Sequence, residues 1–192
     1  MNVLFLFGPQ AVGKMTIGEV LSEKLDIPLL FNHMTLDVIS PFIGWTQKTF
    51  ELSTQLRKDI FQAMVDQPGN KGLIFTFVWA LDVEEDRKEV ENFKQIFTTA
   101  GIDVYFIELE AELEERLRRN KTENRLAKKP SKRDIESSEQ ELQTSHQKHR
   151  LNSKQGEIQE PLYLRLNVTN LTAEEAAERI FDFQQFDERR YN

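Results

Sequence analysis

Four stretches of the chain are apolar almost throughout: residues 3–7 (VLFLF), 27–31 (IPLLF), 72–79 (GLIFTFVW) and 102–109 (IDVYFIEL). A strand with no polar face needs cover on both sides, which is the situation of strands in a parallel sheet. The segments between these runs have the spacing of amphipathic helices. Ile17, Val20, Leu21 and Leu25 form one stripe; Leu52, Leu56, Ile60 and Met64 recur every four residues in 48–65; Val83, Val90, Phe93 and Phe97 line 83–99. PGNKG (68–72) is a turn, Gly101 ends the 83–99 helix, and AELEERLRRN (111–120) is helical by propensity. In PLYLRLNV (161–168) leucines and Val168 alternate with Tyr163, Arg165 and Asn167, so this strand has a wet face and belongs at an edge. Thr172 and Glu175 then make a capping box for a last helix. Strand and helix alternate five times, which implies an α/β fold: a parallel sheet, helices on both faces, right-handed crossovers.

The 192 residues suit a single domain, 1–192, with a sizeable core. A formal net charge of −7 argues against a protein that coats nucleic acid or an anionic membrane. With no cysteine, disulfides, thiolate metal sites and a cysteine nucleophile are excluded. The first apolar run is five residues with no positive charge before it, too short for a signal peptide or a membrane span; the cytoplasm is the expected location.

Between the first strand and first helix lies GPQAVGKMT, residues 8–16. It fits the phosphate-loop pattern G-x-x-x-x-G-K-[ST] at Gly8, Gly13 and Lys14, but Met15 stands where the hydroxyl is expected and Thr16 follows one place late. Such a loop turns successive N–H groups inward and adds the positive end of a helix, making a socket for a polyphosphate. Gly8, Pro9, Gln10, Ala11, Val12, Gly13, Lys14, Met15 and Thr16 are therefore the expected nucleotide-binding residues, with Lys14 reaching the β- and γ-phosphates.

FGPQAVGKMTIGEVL resembles the phosphate loop of the small P-loop kinases related to shikimate kinase, adenylate kinase and chloramphenicol phosphotransferase. FNHMTLD, KPSKRD and LRLNVTNLTAEEAAERI are also similar to the shikimate-kinase-like branch of that group. The resemblance implies a three-layer P-loop NTPase fold with five parallel strands in the order 2-3-1-4-5 and a mobile lid. It implies ATP and Mg²⁺, and transfer of the γ-phosphate to a hydroxyl of a small polar metabolite. A nucleoside or nucleotide acceptor, or a non-catalytic nucleotide-binding or regulatory NTPase, stay open as alternatives. Lys14-Met15-Thr16 matches the adenylate kinases, where no hydroxyl directly follows the lysine and the next threonine contacts the α-phosphate. Their magnesium is held largely by water and nucleotide oxygens, in keeping with the ion's reluctance to dehydrate.

The remaining candidates follow from position. In the resembling kinases an acid after the second strand accepts the hydroxyl proton or orients the metal's water; Asp37 matches and is also the candidate metal residue. His33 and Asn32 lie at the same strand end, where α/β proteins place ligands. Residues 116–133 carry nine lysines and arginines against one acid, Glu123. With the thinly apolar stretch 131–149 (Ile135, Leu142), expected as a helix opened by Ser131, they suggest a lid over about 116–155. The resemblance gives Arg116 and Arg119 adenine or phosphoryl contacts, Arg119 a catalytic one, with Arg125, Lys132 and Arg133 as further candidates. Arg57 is a candidate for the acceptor pocket. Trp45 and Trp79 are expected in the core, with the acceptor pocket as the alternative, His146 and His149 on the surface, and Asp82 with Glu85 in a capping box rather than at a metal.

Overall fold

Strand β1 (Asn2–Phe7) divides the core in two. Val3, Phe5 and Phe7 point to one side and Leu4 and Leu6 to the other, all fully buried, as the two-residue repeat of a strand requires. A computed structural model describes residues 1–188 of the chain. β1 lies between β3 (Gly72–Phe77) and β4 (Val104–Glu110), parallel to both, so that Phe5 is level with Phe75 and Phe106. β2 (Leu29–Phe31) and β5 (Tyr163–Asn167) pair outside these, and the order is β2-β3-β1-β4-β5. The expected sheet and order are present, and β5 is the edge strand that its alternation indicates.

One side of the sheet is aliphatic and is covered by α1 (Lys14–Leu25) and α8 (Ala173–Glu188), through Ile17, Leu21, Ala176 and Ile180. The other side is aromatic. There α3 (Gln47–Asp66) and α4 (Glu84–Thr98) bring Phe61, Phe93 and Phe97 onto Phe5 and Phe75. The ring of Phe5 lies 5.5–6.4 Å from five other phenylalanine rings, mostly edge-on. Each such pair adds roughly 0.5–1.5 kcal/mol beyond the area it buries. The capping box forms: Thr172 N–H donates to Glu175 Oε2 at 2.8 Å and Glu175 N–H to Thr172 Oγ1 at 3.1 Å.

Several expectations are corrected. FNHMTLD, to which the sequence pattern assigns no element, opens a helix, α2 (Asn32–Ile43), which buries only Thr35 and Leu36 and carries Pro41 inside it. Asp82 and Glu85 make no capping box. Val83 precedes α4, while Asp82 Oδ1 accepts from Arg150 N–H at 2.9 Å and ties the end of β3 to the chain after α7. The basic region folds as α5 (Leu113–Asn120), α6 (Glu123–Lys128), a tight turn at Pro130–Lys132 and α7 (Ile135–Lys148). Asp134, not Ser131, caps α7, accepting from Ser137 N–H at 3.1 Å, because Pro130 has already committed residues 130–132 to the turn. Arg116, Leu142, Leu151 and Ser153 are buried, so segment 116–155 is held to the body near both ends. No helix among the described residues is long and apolar enough to cross a membrane.

Candidate active site

The loop after β1 turns on three left-handed residues: Gly8 (φ 138°), Ala11 (φ 59°) and Gly13 (φ 116°). A Cβ on Gly8 would stand 2.2 Å from the carbonyl oxygen of Leu109 in β4, so only glycine lets the loop pass. The Lys14 ammonium folds under the loop and donates to the carbonyls of Gly8 (2.6 Å) and Pro9 (2.7 Å). Burial holds its pKa well below the ordinary lysine value, and Lys129, Arg116 and Arg125 push the same way. Met15 is buried, while the neighbouring Thr16 is exposed at the opening α1 turn, so the available hydroxyl belongs to residue 16.

Two arginines of α5 brace this loop. Arg119 donates to the carbonyl of Val12 at 2.7 Å and to those of Val168 (2.7 Å) and Thr169 (3.3 Å), locking the loop to the segment after β5. Glu115 completes its coordination at 2.6 Å. Arg116, only 2% exposed, donates from Nε to the carbonyl of Gln10 at 2.8 Å, and burial lowers its pKa to about 10. The Gln10 side chain reaches the other way, to Ser145 Oγ of α7 at 2.9 Å.

Above the loop opens a cavity of about 1080 Å³. That exceeds the usual range for a single small ligand, roughly 300–1,000 Å³. Loop residues from Gln10 to Thr16 form its floor, and Arg119 and the segment Thr169–Ala173 one end. Arg125, Lys129, Ser131 and Lys132 form its roof. At the far end stand Asn32, His33 and Leu36 of α2 with Trp45 and Phe50. Trp45 is thus not a core residue: it is 51% exposed, with its ring 6.3 Å from both His33 and Phe50. Trp79 is buried as expected, 5.1 Å from Phe7.

His33 lines the cavity, and Asp37 stands one helical turn behind it. His33 Nδ1 and Asp37 Oδ1 are 3.3 Å apart, and Ser131 Oγ donates to the same carboxylate oxygen at 3.4 Å. Burial lowers the His33 pKa below the ordinary value, against the opposing hydrogen bond to Asp37. When Nδ1–H donates to Asp37, Nε2 is left as a proton acceptor. The β3 end contributes Thr76, Phe77 and Val78 and no acid, and among the described residues no three acid or histidine groups cluster to hold a metal.

Not every expected residue comes to the cavity. Arg57 is buried between α2 and α3, where it donates to Thr35 Oγ1 (3.0 Å), Ser53 Oγ (2.7 Å) and the Asn32 carbonyl (3.2 Å), with Glu89 3.8 Å away. It pins one helix to the other, and burial lowers its pKa to about 10. Arg116 lies beneath the loop, as described, and Arg133 is spent on the carbonyl of Leu126 at 3.1 Å. Gly8 and Pro9 shape the loop from behind. His146 is exposed, and His149 stands 3.7 Å from Asp82, away from the cavity.

Two groups that sequence spacing does not single out are prominent. Lys129 is on the roof, with its pKa lowered to about 7 by burial and by Arg125 and Lys132. Glu108 is a fully buried carboxylate in β4 that accepts from Asn152 Nδ2, Ser153 N–H, Ser153 Oγ and Tyr163 OH at 2.6–2.8 Å. The only trace of Glu108 in the sequence is an acid inside an apolar run.

No protein-family model matches the chain, and no curated protein sequence matches it. Solved structures do. A shikimate kinase from Acinetobacter baumannii in complex with shikimate is 18% identical, with TM-score 0.58 over 97% of this chain and 94% of that one. The APS kinase of Mycobacterium tuberculosis in complex with AMPPNP and APS is 13% identical, with TM-score 0.61 over 96% and 97%. A gluconokinase from Sinorhizobium meliloti is 14% identical, with TM-score 0.59 over 99% and 95%. With its 2-3-1-4-5 parallel sheet, its cradle after the first strand and this likeness over nearly its whole length, the chain has the fold of the P-loop kinases.

Proposed function

We propose that this chain is an ATP-dependent phosphotransferase that moves the γ-phosphate to a hydroxyl of a small polar metabolite. The observation that carries this reading is one continuous cavity with a phosphate cradle at one end and a histidine–carboxylate pair at the other. Structural neighbours that are sugar, shikimate, gluconate and APS kinases support a small-molecule acceptor.

On this reading the amides of the loop and the Lys14 ammonium hold the β- and γ-phosphates, and the Thr16 hydroxyl reaches the α-phosphate. Arg119, fixed by three carbonyls, offers the flat face of its guanidinium to the adenine. Arg116 positions the loop from below rather than touching nucleotide. Arg125 faces the phosphates from the roof. Magnesium supplies charge neutralisation when bound. Glu115 and Glu141 line the cavity but are held by Arg119 and Lys132; Asp37 as the candidate acid, with no three-group cluster among the described residues, suits an ion that keeps most of its ligands as water and nucleotide oxygen. The acceptor oxygen attacks the γ-phosphorus, the bond from that phosphorus to the β–γ bridging oxygen breaks, and ADP leaves. The hydroxyl proton passes to His33 Nε2, whose ring Asp37 orients. Lid closure over 116–155 would keep water from competing as acceptor.

A second reading, nucleotide binding without transfer, is favoured by the lack of an acid at the β3 end. A nucleoside or nucleotide acceptor is the alternative within the kinase class. Thermal-shift titration with ATP and Mg²⁺ tests the common premise: the wild type is stabilised, and Lys14→Ala weakens binding by orders of magnitude. An unchanged shift in that variant refutes the reading. Screening pools of sugars, shikimate, nucleosides and monophosphates for ADP release then separates transfer from binding alone.

A further inference from the structure

The cations of the roof and its flanks differ in what holds them. Arg125 donates to Asn120 Oδ1 at 2.9 Å, Lys132 is paired with Glu141, and Arg119 and Arg133 are bound to carbonyls. The Lys129 ammonium has no hydrogen bond or ion pair among the described residues; the ring of Phe31, at the end of β2, has its centroid 5.9 Å away. It is nonetheless largely removed from water and faces charged groups on every element around it: Lys14 and Glu19 from α1, His33 and Asp37 from α2, Arg125 from α6, Lys132 from its own turn. It therefore stands between the cradle and the histidine–carboxylate pair, over the path along which a phosphoryl group would travel.

Resting on the kinase reading above, we propose that Lys129 is the residue that contacts the transferring phosphoryl group, and that nucleotide binding draws a proton from solvent onto its ammonium nitrogen. A half-buried cation that Arg125 and Lys132 repel more than Asp37 and Glu19 compensate is unfavourable until a stronger anion arrives. With a free-state pKa of about 7, Lys129 is mostly neutral in the empty protein at pH 8. A polyphosphate restores the missing counter-charge, and the proton returns. An arginine in the same place would carry its charge at all times, so a lysine makes the contact conditional on occupancy.

Isothermal titration of magnesium-free ATP at pH 8, in buffers of different ionisation enthalpy, counts the protons taken up. At this pH the γ-phosphate is fully ionised and releases none. A site with its pKa near 7 takes up roughly nine-tenths of a proton when binding lifts that pKa well above 9. Lys14 is coupled to Lys129, so its own uptake is read from Lys129→Met, which leaves position 129 uncharged, and Lys129→Arg is compared against that baseline. The expected result is uptake lower by most of a proton in Lys129→Arg with affinity retained, and Lys129→Met binding about 10- to 100-fold more weakly. Equal proton uptake in wild type and Lys129→Arg, or undiminished affinity in Lys129→Met, overturns the assignment while leaving the kinase reading intact. Absence of ATP binding in the wild type removes both.

Discussion

Replacing the two glycines of the loop one at a time separates packing from backbone conformation. An alanine Cβ at position 8 would sit 2.2 Å from a main-chain oxygen of the central sheet, so loop and β4 must part by about 1 Å to reach ordinary contact. At position 13 the nearest atoms, Arg119 Nη1 and Ile17 Cδ1, are 3.4 Å away, an ordinary contact that nothing has to yield to. Both positions carry a left-handed φ, which costs an alanine about 1–3 kcal/mol wherever it falls. Gly13→Ala therefore loses that amount of stability and keeps ATP affinity within about tenfold. Gly8→Ala adds a displaced cradle, and a misplacement of about 1 Å costs on the order of 100-fold in a preorganised site. Melting curves with and without ATP, read beside far-ultraviolet circular dichroism to confirm folding, give both quantities. A Gly8→Ala protein with the wild-type ATP shift, or a Gly13→Ala protein that loses more affinity than Gly8→Ala, would refute the reasoning.

Glu108→Ala strands four donors at once, two of them buried, and should cost about 3–5 kcal/mol in urea denaturation, whereas Glu108→Gln, which keeps one acceptor oxygen for Asn152 and Ser153, costs clearly less; a loss under about 1 kcal/mol for the alanine would show that the network is not structural. The base must be neutral to accept a proton, and burial holds His33 below the ordinary histidine value, so ADP release should fall only as pH drops beneath about 6.5. The Asp37 hydrogen bond raises that pKa, so Asp37→Asn should move the acid limb to still lower pH as well as slow the reaction; an acid limb that stays in place would separate Asp37 from the base.

The sheet and the cradle were legible because both are written in backbone terms. Two-faced apolar runs have few ways to be covered, Gly8 marks a position where a side chain has no room, and Gly13 one where the backbone turns left-handed. Helix α2 was not legible: Met34, Val38 and Phe42 are exposed, so its apolar residues follow no core-facing stripe, and Pro41 argues against a helix that forms anyway. Arg57 looks like a surface cation until Thr35 and Ser53 are seen beside it, a polar patch shared by two helices far apart in sequence. Lys129 is one of nine basic residues in a row of eighteen, and only the tertiary fold decides that its neighbours are paired and it is not.

β1 is hydrogen-bonded along both flanks, to β3 and to β4, and the loop proposed to bind phosphate hangs from its last residue. Fraying at the β2 margin leaves that suspension point intact, whereas fraying at β5 loosens only the Arg119 brace. Nucleotide affinity should thus persist through partial melting and vanish only with the collapse of the whole sheet, which makes the cradle the most durable part of the molecule rather than its most delicate.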